Sequence, residues 1–281
     1  MSVVINTNIA SITAQNYLTQ NTQQLQKAET ELASGYQINS AADNAAGLQI
    51  SQNLTAQING ANQAVENAQD GNNMLSVADG TLSVVQDNLQ RIRELVVQAA
   101  NGTNGTSNLT AIADEISARI ADIKQMTQAT QFNGQNLLQK QTGSTRIQIG
   151  GNDVASLDTI NITSALGSAT ATGLGIVFSG EHNLASNGAA LTLLGTIDSA
   201  LTNIGNRRAT IGSMQNSLQS SINNLQVTSE NLTASNSQIL DTNVASTSAS
   251  LAQDQILQQA AATILTQANQ SPSIALTLIK G

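Results

Sequence analysis

A register of apolar residues stepping by three and four runs almost unbroken through the first third of the chain. It passes through Gly47, Ile50, Leu54, Gln57, Ala61, Ala64, Ala68, Gly71, Leu75, Ala78, Leu82, Val85, Leu89, Ile92, Val96 and Ala99. Sustained a/d spacing over this many turns specifies a coiled-coil seam rather than a short globular helix. A second ladder, Ile197, Ile204, Ile211, Leu218, Leu225, Leu232 and Ile239, repeats every seventh residue near the other end. The first helix carries its own version in Ala14, Leu18, Asn21, Leu25, Ala28 and Leu32, where the polar Asn21 fixes register at some cost in stability.

Gly and Asn clusters mark the breaks. The stretch from Asn101 to Asn108 reads as a turn, after which Ile112, Ile116 and Ile123 begin another helix, and Asn133-Gly134 ends that helix. From Gln141 to about Ala189 the helical period disappears, and Ile147/Ile149 with Ile160/Ile162 alternate as two half-buried strands, the one β-like region expected. The predicted fold class is therefore mainly α: a long antiparallel coiled-coil or helical-bundle rod with a small internal β-hairpin region. Return of the C-terminal helices onto the N-terminal ones would bury both ladders and bring the chain ends together. Ile264, Leu265, Ala268, Leu276 and Ile279 are then exposed unless something covers them, and copies of the same chain are their natural partners.

Composition agrees with slender helical packing. Aromatic residues are 1% of the 281, Cys and Trp are absent, and Leu, Ile and Ala must fill whatever core exists. The net charge of −8, with ten scattered basic residues and the single doublet Arg207-Arg208, argues against nucleic acid as partner. No apolar run is long enough to insert in a membrane. The start, MSVVINTNIASITAQN, has no basic n-region, so export would use a route other than a Sec-type signal peptide.

Chemistry is poorly supplied. His182 is the only histidine and lies in the Gly/Ser-rich middle segment, which excludes a zinc site or a Cys/His dyad and leaves one imidazole for any triad. No enzyme activity, cofactor or metal is expected. Asp43-Asn44 and Asp241-Thr242-Asn243 lack the spacing of a calcium loop and read as caps and turns. Asn-x-Ser/Thr triplets at Asn53, Asn101, Asn104, Asn108, Asn161 and Asn231 are what such an Asn-, Ser- and Thr-rich chain produces by chance.

Several long stretches resemble bacterial flagellin. VINTNIASITAQNYL at 4–18, ELASGYQINSAADNAAGLQIS at 31–51, NAQDGNNML at 67–75, LQRIRELVVQAANGTN at 89–104 and TQFNGQNLL at 130–138 are similar to its N-terminal half. RIQIGGND at 146–153 resembles the strand motif between the halves. The stretches at 197–241 and 255–279 resemble the C-terminal half. The resemblance covers most of the chain apart from roughly 154–190.

It implies a structural subunit that polymerises into the extracellular flagellar filament for swimming motility. Residues 1–43 and 238–281 would pair as the inner coiled coil of the filament, 44–140 and 190–237 would form a rod-like helical domain, and 141–189 would be a short, β-rich variable segment. The polymer-core interface would include Leu18, Leu25, Leu32, Leu257, Ile264 and Ala268. Implied partners are further copies of the chain, an export chaperone, the type III flagellar export apparatus, the filament cap and the hook-junction proteins. A vertebrate innate receptor would read Arg91, Leu95 and Glu115 on the monomer, and O-linked sugars would sit on the exposed 141–190 segment.

Gln37, Ala42, Asn44, Gln238 and Asn243 are neutral where the family usually carries charge, so subunit contacts lean on apolar and amide groups and should tolerate acid. The terminal helices, lacking partners in the monomer, should order on assembly. Two rivals are the hook–filament junction protein, which shares the end helices, and a coiled-coil adhesin or phage fibre, which would carry a terminal head rather than an internal one.

Overall fold

A computed structural model of the chain describes residues 7–139, 143–150, 158–184 and 186–280, without the side chains of 181, 182, 187 and 271–280. Five α-helices dominate: α1 (Ile9–Ser34), α2 (Ala41–Ala99), α3 (Thr106–Ala129), α4 (Asn187–Leu240) and α5 (Val244–Lys280). Two antiparallel hairpins lie between α3 and α4, β1 (Gln131–Phe132) with β2 (Gln135–Asn136) and β3 (Arg146–Gln148) with β4 (Thr159–Asn161). The chain divides into two compact units, one built from residues up to Ala56 and from Asn231 onward, the other from Gln57–Glu230.

In the first unit α1 and α5 pack antiparallel. Asn8 Nδ2 donates to the Ala268 carbonyl (2.8 Å), Ser11 Oγ to Asn269 Oδ1 (2.7 Å) and Gln258 Nε2 to Thr22 Oγ1 (3.2 Å). The α1 residues turned inward are Ser11, Ala14, Leu18, Asn21, Leu25, Ala28 and Leu32, which is the predicted ladder. Opposite them α5 presents Thr247, Leu251, Asp254, Gln258, Ala261, Leu265 and Ala268, again in alternating steps of four and three. Leu276 and Ile279 lie outside the described side chains.

Helix ends are closed by local chemistry. Gly35, at φ 77°, ends α1 in the left-handed conformation that costs a glycine nothing, and its N–H donates to the Glu31 carbonyl (2.9 Å). The Asp43 carboxylate reaches back to cap the entry to α2, accepting from Ser40 N (2.9 Å), Ser40 Oγ (2.9 Å) and Asn39 N (3.2 Å). Asn44 then leaves helical geometry (φ −164°, ψ 96°) and caps the long run of α2 through Gly47 N (2.9 Å). Asn243 does the same for α5 through Ser246 N (3.2 Å). The turns before α2 and before α5 are joined by backbone, with Gln37 N donating to the Leu240 carbonyl and Thr242 N to the Gly35 carbonyl, both at 2.8 Å.

In the second unit α2 and α4 run antiparallel without a slip. Asn62 pairs with Ser229 (2.9 Å), Ser76 with Gln215 (3.0 Å) and Arg93 with Asp198 (2.7 Å), so contact continues over about 46 Å at 1.5 Å per residue. Leu75, Leu82, Val85, Leu89, Ile92 and Val96 meet Ile197, Ile204, Ile211 and Leu218 in one buried core. The helix α3 lies antiparallel against α2 and adds Ile112, Ile116 and Ile123.

Three expectations need correction. The α2 seam below Ala61 passes through Ser51 and Ile58, while Ile50 is 49% exposed and Gln57 is exposed. Both phases share Gly47, Leu54 and Ala61, so spacing alone could not choose between them. Asn133-Gly134 does more than end a helix. With φ of 47° and 77° it is the two-residue turn of the β1–β2 hairpin, a second β element beyond the region expected.

The described residues of the 141–189 segment, finally, are neither β-rich nor mainly exposed. Ile147 and Ile160 do pair across β3–β4, but Ile162, Ala165, Leu166, Ala169, Ala171, Leu174 and Ile176 fold as turns into the same core as α2 and α4. The hairpin is seated on Gly71, where a Cβ would come 3.0 Å from Ile147 Cγ1, and Asn67 Nδ2 donates to the Gln148 carbonyl (3.2 Å). The last three residues of the RIQIGGND stretch lie outside the described residues.

Candidate interaction surfaces

The six residues expected at a polymer core separate into two sets. Leu18, Leu25, Leu32 and Ala268 face the α1–α5 seam and are partly or fully covered within the chain. Leu257 (40% exposed) and Ile264 (60%) point outward, in company with Ile256 (67%), Ile9 and Ile12. The reason is the α5 heptad itself: with Asp254, Gln258, Ala261 and Leu265 inside, residues 257 and 264 fall on the flank of the seam and residue 256 on the face opposite it. A single chain thus leaves large apolar side chains of α1 and α5 uncovered, exposure of the kind that marks an interaction surface.

The second candidate surface lies where α2 meets α3. Arg91 Nε donates to Glu115 Oε1 (3.1 Å) and its Nη1 to Glu94 Oε2 (3.0 Å). Arg119 lies 4.0 Å from the same Glu115 oxygen and donates to Asn88 Oδ1 (3.3 Å). The result is an exposed chain of alternating charge from Glu94 to Arg119. The hydrogen bonds to Glu94 and then to Glu115 raise the Arg91 pKa. Leu95 does not join this surface. It is 2% exposed and sits in the core with Ile112 and Ile116, because α3 packs over the flank of the seam that carries it.

Two residues later the helix has turned, and Arg93 reaches the other neighbour, donating to Asp198 on α4 (2.7 Å), which raises its pKa. The basic doublet is likewise split between roles. Arg208 grips Asp79 through Nε (2.9 Å) and Nη2 (3.4 Å) and Gln86 through Nη1 (2.9 Å), and the hydrogen bond to the Asp79 carboxylate raises its pKa. Arg207 lies instead on Gly167, where a Cβ would come 3.3 Å from its Nη1. Burial lowers its pKa, and Nη1 has no hydrogen-bond partner among the described residues. The sequence signalled the doublet but not this division, which depends on which helix face each position occupies.

Among the described residues no group of three or more His, Cys, Asp or Glu is placed to hold a metal, and no helix is long and apolar enough to cross a membrane. The side chain of His182 lies outside the description.

Comparison with known proteins gives a consistent family. The bacterial flagellin N-terminal helical region matches residues 5–142, and the bacterial flagellin C-terminal helical region matches residues 194–279. The chain is 37% identical over 278 residues to a flagellin of Halalkalibacterium halodurans, covering 99% of this chain and all of that protein. It is 46% identical over 153 residues to the flagellin of Escherichia coli strain K12, where the match takes in 54% of this chain and only 30% of that longer protein. A solved structure from Vibrio parahaemolyticus, described as a flagellar hook-associated protein, superposes with a TM-score of 0.59 at 14% identity, covering 71% of this chain and all of that one, a likeness of fold alone.

Proposed function

As this chain belongs to the bacterial flagellin family, we propose that it is a structural subunit that polymerises into the extracellular flagellar filament for swimming motility. The observation that carries this reading is the exposure of Ile9, Ile12, Ile256, Leu257 and Ile264 on α1 and α5, large apolar side chains left uncovered in one chain. Copies of the chain would cover it through heterologous contacts, one face against a different face, and such contacts repeat without closing. Residues 1–43 and 238–281 would form the inner core of the filament, with 44–140 and 190–237 as a further helical layer and 141–189 continuing from it.

Partners beyond the chain itself follow from the family: an export chaperone, the type III flagellar export apparatus, the filament cap and the hook-junction proteins. For a vertebrate innate receptor we propose Arg91 and Glu115 as the contact pair, with Leu95 holding α2 and α3 together beneath them rather than touching the receptor.

The test is negative-stain electron microscopy of purified chain after adding seeds or a precipitating salt, with far-UV circular dichroism before and after. Long uniform filaments are expected, with a gain in helix as α1 and α5 find partners. Short stubs would support the hook–filament junction reading instead, and no polymer would overturn both.

A further inference from the structure

Five Asn-Gly pairs occur in the chain, at 59–60, 101–102, 104–105, 133–134 and 187–188. A glycine following asparagine leaves its amide nitrogen unshielded by a Cβ, which is why local geometry, rather than sterics of the neighbour, decides whether the two groups react. We propose that Asn101 is a site of self-modification in the folded protein, deamidating through attack by its own backbone, independently of any assembly reading.

In the reaction the Gly102 nitrogen bonds to Asn101 Cγ, the Cγ–Nδ2 bond breaks, and ammonia leaves carrying the proton lost from the Gly102 amide. Water then opens the resulting five-membered imide at one of its two carbonyls, leaving aspartate or isoaspartate at position 101. No other reactant is required.

The folded chain sorts the sites. Asn101 is exposed in the turn after α2, and the Gly102 N–H donates to no group among the described residues. Asn101 Oδ1 accepts from Thr103 N (3.4 Å), which folds the carboxamide over the intervening peptide and polarises the carbonyl under attack.

Asn104, three residues on, has its Nδ2 donating to the Gln98 carbonyl (2.6 Å) and the Asn101 carbonyl (3.2 Å), so its carboxamide is turned back toward α2 and away from Gly105. Asn133 is pinned at φ 47° by the two cross-strand pairs of its hairpin. Its imide would need the Gly134 nitrogen brought onto Asn133 Cγ, a geometry the left-handed turn lacks. Asn59 sits mid-helix in α2, where the following N–H belongs to the helical hydrogen-bond ladder. The side chain of Asn187 lies outside the description, so the ranking concerns the other four.

The product matters because position 101 follows the C-terminus of α2. A carboxylate there faces the negative end of the helix dipole. The extra main-chain carbon of isoaspartate would also displace the Asn101 carbonyl that receives both the backbone N–H and the side-chain amide of Asn104 (each 3.2 Å).

The experiment ages the full-length chain in mildly alkaline buffer and follows each site by peptide mass spectrometry, natively and in concentrated urea. Natively, Asn101 should convert at least about tenfold faster than Asn59, Asn104 and Asn133, a barrier difference of about 1.4 kcal/mol, and in urea the four rates should converge. A second arm uses Gly102→Ala, where an added Cβ meets nothing within 4 Å and the backbone is not left-handed. It should keep wild-type helicity yet slow conversion at Asn101 about tenfold or more, since the methyl shields the attacking nitrogen. Any of the three other sites matching Asn101 in the native chain, the same ranking persisting in urea, or an Asn101 that stays intact would overturn the proposal. Should the alanine variant fail to fold, the native-versus-urea comparison decides alone.

Discussion

Truncating Leu95 to alanine separates two meanings of its place beside Arg91. If its side chain belonged to a binding surface, Leu95→Ala would alter recognition and leave folding untouched. At 2% exposure, packed with Ile112 and Ile116, it belongs to the core. Burying a leucine is worth about 1.5–3 kcal/mol in transfer alone. The cavity left where α3 cannot collapse onto α2 brings the expected loss to about 2–5 kcal/mol. With a urea slope of about 2 kcal/mol/M, the unfolding midpoint should fall by about 1–2.5 M.

The assay is urea unfolding followed by far-UV circular dichroism, with Ile92→Ala, equally buried, as internal standard. Arg91→Ala should leave the midpoint in place, since its partners are exposed carboxylates, while abolishing receptor signalling by the monomer. A Leu95→Ala chain that unfolds at the wild-type midpoint while Ile92→Ala does not would refute the burial argument and return Leu95 to the surface.

Ile264→Asp should leave monomer unfolding unchanged and abolish seeded polymerisation seen by electron microscopy; polymer of normal length would remove Ile264 from the assembly face. Asn44→Ala should cost about 1 kcal/mol by loss of the α2 cap, read as a lower thermal midpoint. Gly47→Ala should be at least as damaging, because its Cβ would fall 2.7 Å from both Asn44 Nδ2 and Ile38 Cδ1. The Asp43 pKa is lowered from 3.8, first by the Ser40 hydroxyl, then by the Ser40 and Asn39 amides and Lys27. Because the folded value is the lower one, its contribution is fully present above the ordinary aspartate range and is lost only as pH falls through that range toward the folded value. Hydrogen exchange at the Asn39 and Ser40 amides should therefore stay slow under mild acid and accelerate only below it, and early acceleration would contradict the capping geometry.

Much of this architecture was legible because a period-seven apolar ladder has few ways to be buried. Ile197, Ile204, Ile211 and Leu218 all reached the core as spacing required. The misses share one cause, competition among local solutions that only packing resolves. Ile50 and Ser51 are both three or four residues from Gly47 and Leu54, and the partner helix selected the serine. Asn133-Gly134 reads equally as a helix stop or a hairpin turn until Leu137 N closes the turn onto the Thr130 carbonyl (3.1 Å). The glycine-rich 162–176 stretch has no period at all, so nothing in it announced that Leu166, Leu174 and Ile176 would fold back into the core. At the candidate surfaces, Arg91 and Glu115 were named through the family resemblance without their pairing, and the outward turn of Leu257 and Ile264 followed only once the inner face of α5 was known.

The bridge between the two turns at Gly35–Gln37 and Leu240–Thr242 is made of peptide groups, so it carries no titratable atom and no ion pair. Salt that screens Arg91, or acid that neutralises Asp43, leaves this joint as it was. Side-chain chemistry there is free to drift while the geometry stays fixed: Gln37 adds a side-chain bond to the Ile239 carbonyl (2.8 Å), yet the two backbone bonds do not depend on it. Where ionic strength and pH are set by the surroundings rather than by a cell, the weld least exposed to the weather is the one written in the main chain.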